Sequence, residues 1–225
     1  MDTFFQFNRY LHITAGFIGF FIAPAALAVR KGGPWHRHWG KVFFWAMMVA
    51  GGTAIVSASY KGLTFLLLTG IFSLYLAWFG YRSLHLKQLE RGGKTPALDW
   101  AGASLGLAVF LGTLAYGVQA GNIPAGVFGS IGVMTTGRQL RGFARAGAWA
   151  PGQWLHNHIS GFLGAYITAV SAFSATSLRF IPFPYNFLWP SLLGVPLMMW
   201  WQRRARKING QLAASSEQLA VSSEQ

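Results

Sequence analysis

The sequence predicts an all-α integral membrane bundle of seven transmembrane helices, on three observations. First, residues are 53% hydrophobic and only 10% charged, with mean hydropathy +0.38. Soluble domains carry about 25% charge, so lipid solvates most of this surface. Second, the apolar residues fall into seven runs near the length of a bilayer crossing, about 20 residues each. Third, seven crossings put fifteen of the eighteen Lys and Arg residues on one side of the membrane.

The first span is predicted from Phe7 to Val29. No basic segment precedes it and no small-residue cleavage site follows, so it reads as a retained helix rather than a signal peptide. The second runs from His38 to Tyr60, the third from Leu63 to Leu84, and the fourth from Leu98 to Ala120. The fifth, Ile123 to Gly137, is short and glycine-rich and is expected near the bundle centre. The sixth runs from Trp154 to Leu178, and the seventh, also short, from Asn186 to Gln202. Small residues recur at helical spacing, as in Gly16–Gly19–Ala23–Ala26, Gly102–Gly106 and Gly126–Gly129. Such stripes let helices in lipid pack closely. Trp35, Trp39, Trp100, Trp149, Trp154 and Trp201 lie near span ends, where indole favours the interface.

The charges decide the fifth crossing. With it, Arg30, Lys31, Arg37, Lys41, Arg82, Lys87, Arg91, Lys94, Arg138, Arg141, Arg145, Arg203, Arg204, Arg206 and Lys207 share one side, and only Arg9, Lys61 and Arg179 remain on the other. Without it the cations divide nine to nine. The positive-inside rule then sets the N-terminus outside and the C-terminus in the cytoplasm. Residues 1–207 form the predicted transmembrane domain. Residues 208–225, containing QLAASSE and QLAVSSE, read as a low-complexity, disordered cytoplasmic tail, because two heptads are too few for a stable coiled coil.

Composition excludes several function classes. No cysteine means no disulfide, thiolate metal site or iron–sulfur cluster. No Asp or Glu lies deep within a span, and only Asp99 stands near a helix end, which counts against proton-coupled transport. A retinal pigment needs a Lys within the last span, and only Lys207 lies nearby. Nucleic acid is excluded as a partner because the cations sit between apolar runs, where lipid headgroups are met. The expected partners are the lipid bilayer and, through small-residue faces, a membrane protein or a second copy of this chain. Nothing singles out catalytic residues, and a non-enzyme is the leading reading.

Histidine is the residue type left to carry chemistry. Five of the six, His36, His38, His85, His156 and His158, map to the cation-rich side. Two occur as His-x-His, in PWHRHWGK and WLHNHISG, where spans begin. Neutral imidazole binds metals and haem iron. Residues i and i+2 point about 200° apart on a helix, so a pair serves one ion only where the backbone is non-helical. His38, His156, His158 and His36 are therefore the candidate cofactor ligands, for haem or a divalent metal, with His38 facing His156 or His158 as the leading haem pair. The bland alternative is interfacial histidines that cap helices and bond loops. His12, Ser160, Ser171 and Arg138 are candidate cavity residues. His12 stands alone on its side. Ser160 and Ser171 belong to a stripe with His156, Gly164 and Ser174, and Arg138 offers a charge to an anion or lipid headgroup. Asp99 reads as an N-terminal cap and dipole partner rather than a catalytic base.

The stretches HRHWGK, Asp99–Trp100, HISGFLGAYITAVSAF and LWPSLLGVPL resemble an uncharacterised family of bacterial multi-pass membrane proteins, the 2306-like domain of unknown function. The likeness touches most of residues 8–205. It implies a bacterial cytoplasmic membrane protein and transfers no reaction. Three function classes stand: ligand or cofactor binding at the histidines, a small-solute transporter or channel with a cavity near span six, and a non-catalytic scaffold.

Overall fold

The computed structural model describes residues 2–145, 149–182 and 184–223, with side chains for 3–145, 149–182 and 184–207. The described residues are all-α. Seven helices follow in order: α1 Asp2–Ala28, α2 Pro34–Tyr60, α3 Thr64–Ser83, α4 Ala97–Gln119, α5 Ile123–Ala144, α6 Gln153–Ser177 and α7 Tyr185–Ser223. A 3₁₀ turn, Lys87–Arg91, separates α3 from α4. Five helices, α1 to α4 and α6, are long and apolar enough to cross a membrane. Large apolar side chains stand exposed along them, among them Phe17 and Phe21 of α1 and Leu105 and Val118 of α4. Faces this extensive need lipid rather than water, and these are the helices of a multi-pass membrane protein.

Local sequence explains the ends. Pro34 starts α2, where its missing N–H removes no hydrogen bond. Asn122 caps α5, its side chain accepting from the Ala125 N–H at 3.0 Å. Gly152 precedes α6 with φ 78°, a backbone that favours glycine.

The helices pack as antiparallel neighbours: α1 on α2, α2 on α3, α4 on α5 and α6 on α7, with α3 also against α6. The centre is α3, not α5. Buried residues surround α3 on every side, including Leu68, Phe72, Ser73, Tyr75, Leu76, Phe79 and Gly80. By contrast, α5 exposes Ile123, Val127, Ile131 and Met134 and packs mainly on α4. Its glycines bring it against that one partner. Gly117 of α4 abuts Gly126, Gly129 abuts the Leu114 backbone, and Gly132 receives the Phe110 ring. The α3–α6 contact is closest where Gly80 and Gly161 meet, backbone against backbone. The main core joins Phe43, Met47, Phe72, Tyr75, Leu76, Phe79, Phe110, Phe128 and Ala165.

Two spans differ from prediction in length. The fifth was predicted to stop at Gly137 but its helix reaches Ala144, because RQLRGFA holds no proline and its one glycine, Gly142, falls only in the last turn. The seventh was predicted to end near Gln202, with a disordered tail from 208. Instead the α7 backbone stays helical to Ser223. Past Gly210 the repeat is built of Ala, Leu, Gln, Glu, Ser and Val without Gly or Pro, and the first four favour helix.

Candidate functional site

At the cation-rich pole, the start of α2 meets the start of α6 and the end of α3. The helical backbone over both His-x-His motifs separates the members of each pair, as the i, i+2 geometry requires. His36 turns inward. Its Nδ1 donates to the Ala26 carbonyl of α1 at 2.9 Å. His158 also turns inward, with Nδ1 on the Gly80 carbonyl of α3 at 3.1 Å and its ring 4.7 Å from the Phe162 ring. The two imidazoles face each other edge-to-face, centroids 6.4 Å apart. With each Nδ1–H committed to a carbonyl, the neutral tautomer leaves Nε2 as the free lone pair on both rings.

The other histidines go elsewhere. His38 is exposed beside Trp35 and Trp39, its ring 5.0 Å from the latter, so the predicted pairing of His38 with His156 or His158 is replaced by His36 with His158. His85 is exposed near Tyr81. His156 points to the opposite side of α6 from His158, where its Nδ1 accepts from Arg206 at 3.4 Å. His12 lies toward the other pole, its Nδ1 at 2.9 Å from the Ala50 carbonyl and 3.2 Å from Thr53 Oγ1. It is a satisfied polar side chain bonding α1 to α2, remote from the pair. No group of three or more His, Cys, Asp or Glu that could hold a metal ion occurs among the described residues.

The serine stripe of α6 does not line one cavity. Ser160 donates to the His156 carbonyl and accepts from Gln202 of α7, both at 2.8 Å. Gly164 packs on Leu76 of α3. Ser174 accepts from Trp189 Nε1 at 2.8 Å. Ser171 is 1% exposed and its hydroxyl has no partner among the described residues. The stripe thus serves two neighbouring helices, since successive residues three or four apart drift around the helix.

A second feature joins Arg138, His156 and Ser160. They line a half-open cleft of about 450 Å³ between α5 and α6, floored by Phe79 of α3. Arg141 and Arg145 share it, as does Gln139. Gln139 is 6% exposed; its Oε1 accepts from the buried Tyr75 hydroxyl at 2.6 Å, while its Nε2 has no partner. Trp149 closes one end by donating its indole N–H to the Gly142 carbonyl at 3.2 Å.

Sequence reasoning missed Gln139 and Tyr75. The available signal was a glutamine within the apolar-to-basic transition of span five and a tyrosine amid an apolar run. It also misread Asp99, which is not the cap. Asp99 is 0% exposed and pairs bidentately with Arg82 of α3, at 2.8 and 2.6 Å. Their opposite charges at adjoining span ends were the clue. No family model, curated protein or solved structure matches the chain.

Proposed function

We propose that the chain crosses the bacterial cytoplasmic membrane seven times, N-terminus outside, and that it binds a metal cofactor between His36 and His158. The perpendicular pair, each ring locked through Nδ1, is the observation that carries the cofactor reading. Two imidazoles bonded to one ion at about 2 Å each hold their centroids roughly 6 Å apart, in line with the 6.4 Å seen here. Ligating histidines characteristically donate their second N–H to a carbonyl or carboxylate, which fixes the tautomer and raises basicity. Both rings already have that arrangement, on carbonyls of two different helices. Two protein ligands do not close a structural zinc site, which takes four. His36 and His158, from facing helices, would hold a haem iron or a transition-metal ion completed by small ligands.

Seven crossings are supported by how α5 and α7 pack. α5 runs antiparallel along α4 from Gly126 beside Gly117 to Phe143, whose ring is 5.5 Å from Trp100. Its 22 residues span about 33 Å, against a hydrocarbon core of about 30 Å. α7 follows α6 in the same way, from Asn186 on the Ala175 carbonyl to Gln202 on Ser160. Helices that run alongside a crossing helix over its whole length cross with it. The cation asymmetry and the 2306-like motifs support the orientation and the bacterial membrane.

The test is an absorption spectrum and metal analysis of the purified full-length protein, as isolated and after incubation with haem or copper. Stoichiometric haem or metal is expected, lost in His36→Ala and His158→Ala and kept in His38→Ala. A colourless, metal-free protein that takes up neither would overturn the cofactor reading.

A further inference from the structure

We propose that the α5–α6 cleft binds a phosphate-bearing anion. This inference is independent of the histidine pair, because the cleft lies on the opposite face of α6 from His158.

Charge, an unused donor and size converge here. Arg138 and Arg141 share one side of α5 at i and i+3, and Arg145 follows at its C-terminal cap, so three arginines line the cleft. None has a carboxylate partner: the only ion pair among the described residues is Arg82–Asp99. Guanidinium forks match phosphate oxygens in pairs. Glu90 accepts from the Trp154 backbone N–H at 3.4 Å and is not among the residues that line the cleft.

Gln139 supplies the second, independent sign of a ligand. Its side chain is more than nine-tenths buried at the cleft wall. Tyr75 holds its oxygen at 2.6 Å, which leaves the amide nitrogen as a donor with no acceptor in the chain. Buried polar groups are nearly always paired. An acceptor oxygen entering the cleft from outside completes the set, and the arginines specify that it carries negative charge. A volume of about 450 Å³ exceeds a bare phosphate and lies within the range of small-molecule sites. It accommodates a phosphate attached to an organic body. α5 packs mainly on α4, and α6 mainly on α3 and α7, rather than on one another. The gap therefore admits the ligand either from the aqueous side as a soluble organophosphate or from the bilayer as an anionic phospholipid headgroup.

The experiment uses delipidated full-length protein in neutral detergent at low salt. Equilibrium binding of glycerol phosphate tests the aqueous source. Native mass spectrometry with added phosphatidylglycerol, against phosphatidylcholine, tests the lipid source. Arg141→Gln and Gln139→Leu are each expected to weaken binding about tenfold or more, as loss of a charge-assisted contact does. Gln139→Glu keeps the acceptor for Tyr75 and places negative charge at the wall, so it is expected to abolish binding. Arg179→Gln, a cation outside the cleft, is the control. Glycerol phosphate binding that follows this order assigns a soluble ligand; selective retention of phosphatidylglycerol that follows it assigns a lipid. Absence of both, or binding that Arg179→Gln reduces as much as Arg141→Gln, overturns the proposal. Neither result depends on haem or metal content, so this site and the histidine site fail separately.

Discussion

Breaking the Arg82–Asp99 pair from one side should cost far more than replacing it whole. Asp99 has no exposed surface and Arg82 retains 18% of its side chain's exposure. Two charge-assisted bonds, at 2.8 and 2.6 Å, join α3 to α4. Each hydrogen bond to a charged group contributes about 1.5–3 kcal/mol, and removing one partner of a buried pair destabilises by about 3–5 kcal/mol because the survivor is stranded. Arg82 is partly exposed and reaches toward the polar interface, so the low end applies: about 3 kcal/mol for Asp99→Leu, and a similar loss for Arg82→Met. In the double variant, Arg82→Met with Asp99→Leu, no charge is stranded, and the net loss should fall below about 1 kcal/mol. The coupling energy of the cycle is therefore about 5 kcal/mol or slightly more by the same figures. Unfolding in mixed micelles by a denaturing detergent, followed by far-ultraviolet circular dichroism, measures all four proteins. Additive single losses, or a double variant as unstable as Asp99→Leu alone, would refute the reasoning. The pair would then be screened at the interface rather than buried between helices.

Other outcomes are expected. Gly161→Leu adds a side chain against the Gly80 backbone and the Leu76 carbonyl; it should prevent α3–α6 packing and lower the melting temperature more than Gly16→Leu, whose site is open. Trp189→Phe removes the bond to Ser174 and should cost about 1 kcal/mol in the same unfolding assay. His12→Ala leaves the Ala50 carbonyl and Thr53 hydroxyl without that partner and should cost about 1 kcal/mol, with no change in haem or metal content. The chain has no native cysteine. Arg30→Cys and Lys61→Cys should therefore react with a membrane-impermeant thiol reagent from opposite faces of sealed vesicles; reaction from the same face would contradict the antiparallel crossing of α2.

Much of the fold was legible because lipid imposes a simple rule on sequence. Backbone polar groups must be satisfied within a helix, so an apolar run becomes a helix, and a run's polar borders mark its ends. α2, α3, α4 and α6 begin and end within a few residues of the runs that predicted them. The rule weakens where charge enters a helix. RQLRGFA looked like a loop after span five, yet it holds no proline and continues the helix to Ala144. The glycine-rich character of α5 was read as a central position. Close approach to one partner, α4, also explains it, and composition does not distinguish one neighbour from several.

The candidate site divided in the same way. Sequence alone determined which residue types were available: histidines at span starts, arginines past span five, Asp99 as the one acid at a span end, and no thiols. It also determined that the members of each His-x-His pair separate on a helix, since 3.6 residues per turn is a local property. Which member turns inward was decided by tertiary structure. His36 found the Ala26 carbonyl of α1 and His158 the Gly80 carbonyl of α3, contacts across 10 and 78 positions of chain. The same holds for the amide of Gln139, oriented by a tyrosine 64 residues away, and for Asp99, bound to an arginine on another helix. Hydropathy records the cost of leaving water, which each residue carries with it. The choice of partner depends on helix rotation and crossing, and these are set only when the helices pack.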